Sequence, residues 1–248
     1  MFKKIIEFSA PQEYCDLKED YPTPIKNNIP EWYKKLQHSF HNKTIKGCMP
    51  FLDTLTSGYL LKIAQDIVIS HNVKNEEGVP DSYQFVNPIT LLTLQSKQLN
   101  VIGEQGPSFH PIQQLGDSPL VEKNKGLSFH KILNPWTIKT PPGYSCLFLP
   151  PMNNQDDRFS ILPGIVDTDR FYQEVNFPVV FNGDKYETLN TTLKKGTPYV
   201  QVFPFKRDNW KMEIKVKKNN KIIQNRFSYN LKLLHKYKLK YWQRKTWK

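Results

Sequence analysis

Two histidines are the first residues in this chain whose type and spacing could do chemistry. The tripeptide Ser-Phe-His occurs twice, ending at His110 and at His130. On neighbouring strands, and with Asp117 or Glu122 nearby, they could form the two-histidine, one-carboxylate set that holds non-haem iron. That set needs three ligands on one face, and nothing in the sequence shows that they converge. We therefore predict hydrogen-bonded or surface histidines and no metal, with His110 and His130 as weak candidate ligands.

Four aspartates form a second potential ligand set, because hard cations prefer clustered carboxylates. They are Asp156, Asp157, Asp167 and Asp169. A polar turn followed by a strand end explains the same pattern, and this is the interpretation that we favour. The chain has no Walker loop, no dinucleotide fingerprint and no Gly-x-Ser-x-Gly elbow around a nucleophile. We therefore expect no cofactor.

The elements that would position these residues are strands. Short segments rich in β-branched and aromatic residues, bounded by Gly, Pro, Asn and Asp, fill the chain from Thr44 to about Phe205. They lie at residues 58–69, 89–95, 130–140, 144–150, 176–182 and 199–205. No helical period separates them, which disfavours a parallel βαβ sheet. The sequence predicts a mostly β fold, with a β-clip or β-sandwich body over residues 44–205 and a long ordered loop from about Gln95 to Gly126.

Residues 1–43 are predicted to form an extended arm and a short helix. Pro30 stands where helices often begin, and the ten residues after it read as a helix. Trp32, Leu36 and Phe40 recur at four-residue steps and would form one apolar stripe that packs on the body.

The C-terminal segment, Lys206–Lys248, carries all of the chain's excess positive charge. It holds fifteen Lys and Arg against two acids, a net charge of +13, whereas the whole chain has +12. The other 205 residues therefore have a net charge of −1. A concentrated positive field of this kind attracts polyanions.

The same segment, residues 206–248, has a pattern of its own. Residues 210–218 alternate apolar and charged side chains like a half-exposed strand, and an amphipathic helix follows from Ile223 to Tyr241. Docking of the helix's apolar stripe on the body or another subunit is the favoured interpretation. The alternative is polyanion binding, with cations on phosphates and aromatic rings on bases. The candidate nucleic-acid-binding residues are Arg226, Lys232, Lys236, Lys240, Trp242, Arg244, Lys245 and Trp247.

From Pro141 to Phe205 the chain resembles the dUTPase family of trimeric β-clip nucleotide hydrolases. The resemblance is carried by Pro142-Gly143-Tyr144-Ser145, Gly164-Ile165-Val166-Asp167, Gly196 with Gln201, and the upstream Ser57-Gly58-Tyr59-Leu60. It implies a β-clip fold and a ligand pocket near Tyr144, Asp167 and Gln201, with Asp167 as the candidate catalytic carboxylate. The whole chain also resembles a family of unknown function from marine bacteria and their phages.

Three departures from the family pattern decide what we expect of this chain. Leu60 stands where the family has its metal-binding aspartate, and Pro151-Met152-Asn153 replaces the phosphate-binding Pro-Arg-Ser. Arg170 stands where a tyrosine is expected. Triphosphate hydrolysis needs charge neutralisation as well as a base. We therefore predict a non-catalytic binding or assembly protein on a dUTPase-like scaffold.

Two alternatives stay open. One is a divergent enzyme that acts on a nucleotide or other small ligand near Asp167. The other is a phage structural or nucleic-acid-associated protein that acts through residues 206–248. The partners that these hypotheses allow are a second copy of the chain, as a homo-oligomer, and a nucleic acid or other polyanion.

The location follows from hydropathy and cysteine usage. No apolar run approaches the roughly 18–20 residues that span a bilayer, and Glu7 interrupts the first apolar stretch, so we expect no membrane partner and no secretory signal. Cys15, Cys48 and Cys146 are odd in number and widely spaced, which is typical of reduced thiols. We expect a cytoplasmic protein, in the host cytoplasm or the virion if a phage encodes it.

Overall fold

The computed structural model of the chain describes residues 4–15, 18, 21–74, 77, 81–86, 109–216 and 236–248. The described body is mostly β, with antiparallel strands and helices of no more than six residues. This confirms the predicted mostly β fold. None of the described helices has the length and apolar content needed to cross a bilayer.

The elements are numbered in chain order. The strands are β1 (Glu7–Ser9), β2 (Thr23–Pro24), β3 (Tyr59–Lys62), β4 (Ile67–Asn72), β5 (Asp81–Val86), β6 (Phe109–His110), β7 (Phe129–Ile132), β8 (Thr137–Lys139), β9 (Tyr144–Leu149), β10 (Phe159–Ile161), β11 (Gly164–Val166), β12 (Phe177–Phe181), β13 (Thr188–Leu193) and β14 (Pro198–Lys206). The α-helices are α1 (Gln12–Cys15), α2 (Glu31–Lys35), α3 (Met49–Thr54), α4 (Pro119–Asn124) and α5 (Lys236–Lys240). Single 3₁₀ turns occupy Ile25–Asn28, Ile45–Gly47 and Ile112–Leu115.

The strands form one five-stranded sheet and three smaller ones. The largest has the order β11-β9-β14-β3-β2, and the others have the orders β10-β12-β7-β6, β13-β4-β5 and β1-β8. The longest strand, β14, pairs with β3 on one side and β9 on the other. It therefore joins the early part of the chain to the late part.

One apolar core lies between the sheets. Alternate residues of the central strands point into it, which is the period of two that a strand imposes. Phe148 of β9 lies 5.3 Å from Phe177 of β12, and Phe177 lies 5.7 Å from Tyr199 of β14. Each is 2% exposed or less. Burial of a large apolar side chain contributes roughly 1.5–3 kcal/mol.

The N-terminal segment joins this body through strands as well as a helix. β1 pairs with β8 and β2 pairs with β3. The helix α2 is shorter than predicted, because Leu36 is already extended. The predicted stripe of Trp32, Leu36 and Phe40 is therefore wrong: Phe40 is 67% exposed. The anchor is Tyr33, which is buried and stacks on Phe51 at 5.9 Å.

Several other segments differ from their predicted secondary structure. Residues 58–69 form two strands, β3 and β4, joined by a turn. The described part of the predicted long loop, residues 109–126, contains a short strand, a 3₁₀ turn and α4, whose N-cap Ser118 accepts a hydrogen bond from the Leu120 amide. Residues 89–95, predicted as a strand, lie outside the described residues. Of the predicted C-terminal helix, Lys236–Lys240 is helical, and residues 223–235 also lie outside.

Gly58 is a turn position at which we expect a large effect of a single methyl group. Its φ is +87°, and a Cβ there would lie 2.4 Å from the carbonyl oxygen of Val202 in β14. Gly196 has nearly the same φ, +83°, but a Cβ there would meet nothing within 4 Å. We predict that Gly196→Ala costs about 1 kcal/mol in unfolding free energy, and that Gly58→Ala costs about 3 kcal/mol or more. Chemical denaturation of the two variants measures the difference. Equal losses would contradict the close approach of Gly58 to β14.

Candidate functional site

The five-stranded sheet has a second face, opposite the core. Residues that pair directly across strands share a face. Ile165 of β11 pairs with Leu147 of β9, and Leu147 pairs with Phe203 of β14, so these three form an apolar row. In the next row, Ser145 pairs with Phe205. Asp167 directly follows β11 and accepts a hydrogen bond from the Ser145 hydroxyl at 2.6 Å.

Arg207 connects β9, β14 and the residues after β11 at one end of this face. Its Nη1 and Nη2 donate to the two carboxylate oxygens of Asp169 at 2.8 and 2.5 Å, a bidentate ion pair. Nη1 also donates to the Ser145 hydroxyl and the Tyr144 carbonyl, both at 2.9 Å, and lies 3.1 Å from Asp167 Oδ1. The Gly143 amide also donates to Asp169 Oδ2, at 2.8 Å. Because of these contacts, the start of β9, the end of β14 and the residues after β11 form one cluster.

The charges in this cluster stabilise each other. The Asp169 side chain is only 4% exposed. Hydrogen bonds from Arg207 outweigh the effect of burial and, with the Gly143 amide, lower the pKa of Asp169 to about 2. The same pair raises the pKa of Arg207 above its usual value. Both groups are therefore ionised at any physiological pH.

The Gln201 side chain makes its hydrogen bonds inside the protein. It is fully buried, and its side chain makes three hydrogen bonds. Oε1 accepts from the Met152 amide at 2.8 Å, while Nε2 donates to the carbonyl oxygens of Thr54 and Ser57 at 3.0 and 2.8 Å. The amide thus ties the end of α3 and the turn after β9 to β14.

The structure does not bring Tyr144, Asp167 and Gln201 together around one pocket. Gln201 lies opposite Leu149, four residues along β9 from the Ser145 that contacts Asp167, a separation of roughly 13 Å along the strand. Tyr144 alternates with Ser145, so its ring lies on the other side of the sheet, where Lys4 Nζ is 4.8 Å from the ring centre.

The two histidines point to opposite faces of their sheet. His110 pairs with Phe129, and His130 is the next residue of β7, so alternation separates their side chains. His110 stacks on Phe129 at 5.0 Å and lies 3.0 Å from Gln114 Oε1. His130 is buried beside Phe181 at 5.2 Å. They cannot bind one metal ion together.

Each of the four aspartates is paired with a cation. Asp156 pairs with Arg158 at 2.6 Å, and Asp157 pairs with Lys185, whose hydrogen bond lowers the pKa of Asp157. Asp169 and Asp167 share Arg207. In the parts of the chain that the structure describes, no three His, Cys, Asp or Glu side chains lie close enough to hold a metal ion.

Two further features bear on chemistry. A small cleft at the end of β9 is lined by residues that include Pro150, Pro151, Phe159 and Tyr199, with Asp156 on its wall, and contains none of Tyr144, Asp167 and Gln201. Cys146 is buried in the core, and burial raises the pKa of its thiol to about 11, which makes it a poor nucleophile.

The end of the chain docks on the body. Trp242 Nε1 donates to both carboxylate oxygens of Asp53 at 3.2 Å, and Lys245 Nζ reaches the same carboxylate at 2.5 Å. The ring of Trp247 lies 5.8 Å from Tyr59 and 6.1 Å from Phe203. It covers one end of the apolar row.

The candidate nucleic-acid-binding residues are therefore divided. Trp242, Lys245 and Trp247 contact the body. Lys240 and Arg244 are exposed, and Lys236 begins α5. Arg226 and Lys232 lie outside the described residues.

Sequence reasoning missed the partners that organise both regions. In the sequence Arg207 is one of many cations in the basic segment, and no motif marks Asp53. One signal did point to the cluster: Asp169 follows Asp167 by two residues, which places both carboxylates at one strand end. No family model matches the chain, and no curated protein matches it.

We predict that Asp169→Asn destabilises the protein at neutral pH and that this loss disappears in acid. The pKa of Asp169 is lower in the folded state than the roughly 3.9 of an unfolded chain. Its contribution is therefore complete above about pH 4 and is lost as the pH falls toward 2. Thermal unfolding across this range measures the gap between variant and wild type.

Asp167→Asn is the matched control, because the Asp167 side chain is 59% exposed and its contact with Arg207 is longer. We expect a smaller loss of thermal stability from this change. A gap for Asp169→Asn that stays constant from pH 7 to pH 2 would refute the role of the ion pair.

Proposed function

We propose that this chain is a non-catalytic binding or assembly protein on a dUTPase-like β scaffold. The observation that carries the proposal is that the candidate catalytic residue Asp167 and the candidate ligand-binding residue Gln201 both make contacts within the protein. Gln201 makes three internal hydrogen bonds, and Asp167 is bonded to Ser145 and paired with Arg207. Groups committed in this way have little freedom to bind or activate a substrate.

The turn that the resemblance aligns with a phosphate-binding element also makes hydrogen bonds within the protein. The Met152 amide donates to Gln201, and Asn153 Nδ2 donates to the Thr54 hydroxyl at 2.7 Å. The nearest cation to Asp167 is Arg207, which Asp169 holds in a bidentate pair. A triphosphate at this position would need charge neutralisation that these residues do not offer.

Exposed apolar surface supports a binding or assembly role. We name residues 209–216 the connecting arm, since they belong to the C-terminal segment and lie between β14 and α5 along the chain. Its apolar side chains are far more exposed than is usual for such residues: Trp210 91%, Met212 84%, Ile214 85% and Val216 98%. Contiguous apolar surface of this kind marks interaction sites in soluble proteins.

The proposal predicts no enzyme-like hydrolysis of dUTP. Purified protein with dUTP and magnesium should release pyrophosphate no faster than a blank, and Asp167→Asn should change nothing. Release is followed with a coupled pyrophosphate assay. Turnover near one per second that vanished in Asp167→Asn would instead support the divergent enzyme.

A second candidate function is polyanion binding by the C-terminal segment, as in a phage structural or nucleic-acid-associated protein. The observation that favours it is the exposure of Lys238, Lys240 and Arg244, while Trp242 and Trp247 contact the body. If the apolar side of the C-terminal segment docks on the body, its basic side faces solvent. The proposed location remains the cytoplasm, or the virion if a phage encodes the chain.

This candidate predicts binding that weakens steeply with salt. For single strands the log–log slope is about −0.7 per phosphate neutralised, so four to six contacts give roughly −3 to −4. The double change Lys240→Ala with Arg244→Ala should make the slope shallower by about 1.4. Fluorescence anisotropy with a labelled oligonucleotide measures it.

Trp247→Ala separates docking from base stacking. A docked tryptophan predicts a loss of about 2 kcal/mol or more in stability with binding unchanged. A stacking tryptophan predicts a loss of about 1–3 kcal/mol in single-strand binding. Binding that is undetectable or insensitive to salt at low ionic strength would end the nucleic-acid hypothesis.

A further inference from the structure

The connecting arm has the pattern of a strand without a strand partner. Its apolar residues alternate with Lys211, Glu213 and Lys215, the period of an edge strand with one apolar face. Glu213 and Lys215, two residues apart, form an ion pair at 3.1 Å, which indicates an extended backbone. Yet residues 207–216 lie in no strand. The predicted half-exposed strand over residues 210–218 is therefore wrong for residues 210–216, because no strand among the described residues pairs with them.

The same molecule carries an apolar sheet edge. β11 is the last strand of the five-stranded sheet, so its outer side faces no strand among the described residues. Ile165 at its centre is 63% exposed and begins the apolar row that continues through Leu147 to Phe203. A free edge with an exposed β-branched side chain is a template for pairing with another chain.

We propose that the connecting arm of one copy pairs with the outer edge of β11 in a second copy, and that two copies exchange arms to form a dimer. The arm becomes a sixth strand of the partner's sheet, by β-augmentation. Its apolar residues extend the row that begins at Ile165, and its charged residues remain in solvent. The inference rests on the proposed assembly function, which it deepens by naming the partner.

The position of Arg207, which we call the arm's root because the arm starts two residues after it, favours a reciprocal exchange. Arg207 is fixed in the same sheet by Asp169, close to the end of β11. A two-fold axis beside this point would bring each root next to the partner's acceptor edge, which is the isologous geometry of most dimers. Eight extended residues reach roughly 26 Å, more than enough to follow a strand edge.

Pairing within one copy does not fit the same observations. Only two residues separate Arg207 from Trp210, so the arm would have to reverse at once to reach Ile165 of its own sheet. The 84–98% exposure of its apolar residues excludes such a return.

Charge favours a second copy over an arbitrary apolar partner. The Asp167 carboxylate, directly after β11, is 59% exposed. Lys211 near the arm's root is exposed as well. An arm that enters along β11 from a neighbouring copy brings these opposite charges to the same end of the new strand pair.

Sedimentation velocity of the full chain from about 1 to 100 µM tests the proposal. We expect a dimer at the upper concentrations, and monomers for Ile214→Asp in the arm and for Ile165→Asp on the edge. Both side chains are exposed in one copy, so both variants should keep the wild-type circular dichroism and, at the low concentrations where the wild type is also monomeric, its thermal midpoint. Glu213→Gln, next to Ile214 but on the charged side, is the matched control and should remain dimeric.

Mixing the two monomeric variants gives the sharpest result. Ile214→Asp retains an intact edge and Ile165→Asp an intact arm, so an equal mixture has one working arm–edge contact and should form a heterodimer. A wild-type monomer at 100 µM, dimers that survive either variant, or a mixture without heterodimer would each overturn the arm exchange. The dUTP assay is separate: turnover lost in Asp167→Asn would refute the non-catalytic function whatever the assembly state.

Discussion

The bidentate pair between Arg207 and Asp169 is the interaction on which the second face of the large sheet depends. β9 begins there, and β11 and β14 end there. The Arg207 amide donates to the Gly143 carbonyl at 2.8 Å, which extends the pairing of β9 with β14 by one hydrogen bond. A buried carboxylate without its cation would be costly, so the arginine must stay where the acid is. The pair therefore fixes the point at which the chain leaves the sheet, and with it the direction of the connecting arm.

A second constraint acts at the other end of the same strands. The buried amide of Gln201 satisfies two carbonyls and one amide that would otherwise be unpaired in the interior. Leu60, directly opposite, is fully buried. This end of the strands therefore holds a packed leucine beside a glutamine whose hydrogen bonds are satisfied. The protein's own side chains fill the space between β3 and β14.

Local pattern predicted the β body well and the site poorly. Segments such as Tyr144–Leu149 and Phe177–Phe181 combine β-branched and aromatic residues with breaking residues on both sides, and both are strands. The pairing of Arg207 with Asp169 joins residues 38 apart, and no local period encodes it. The short α2 shows the opposite failure: four-residue spacing suggested a longer helix, but the buried Tyr33 lies off that stripe. Tertiary contacts decided both cases.

The pairing of β3 with β14 also has a consequence for synthesis. Leu60 and Leu61 find their sheet partners at Gln201 and Val200, about 140 residues later in the chain. At a translation rate of roughly 5–20 residues per second, those partners emerge about 7–28 s after the leucines. Strand pairs so distant in sequence also close slowly. During that interval the nascent chain exposes two leucines that the finished protein buries completely, and a chaperone that binds short apolar segments would find them there.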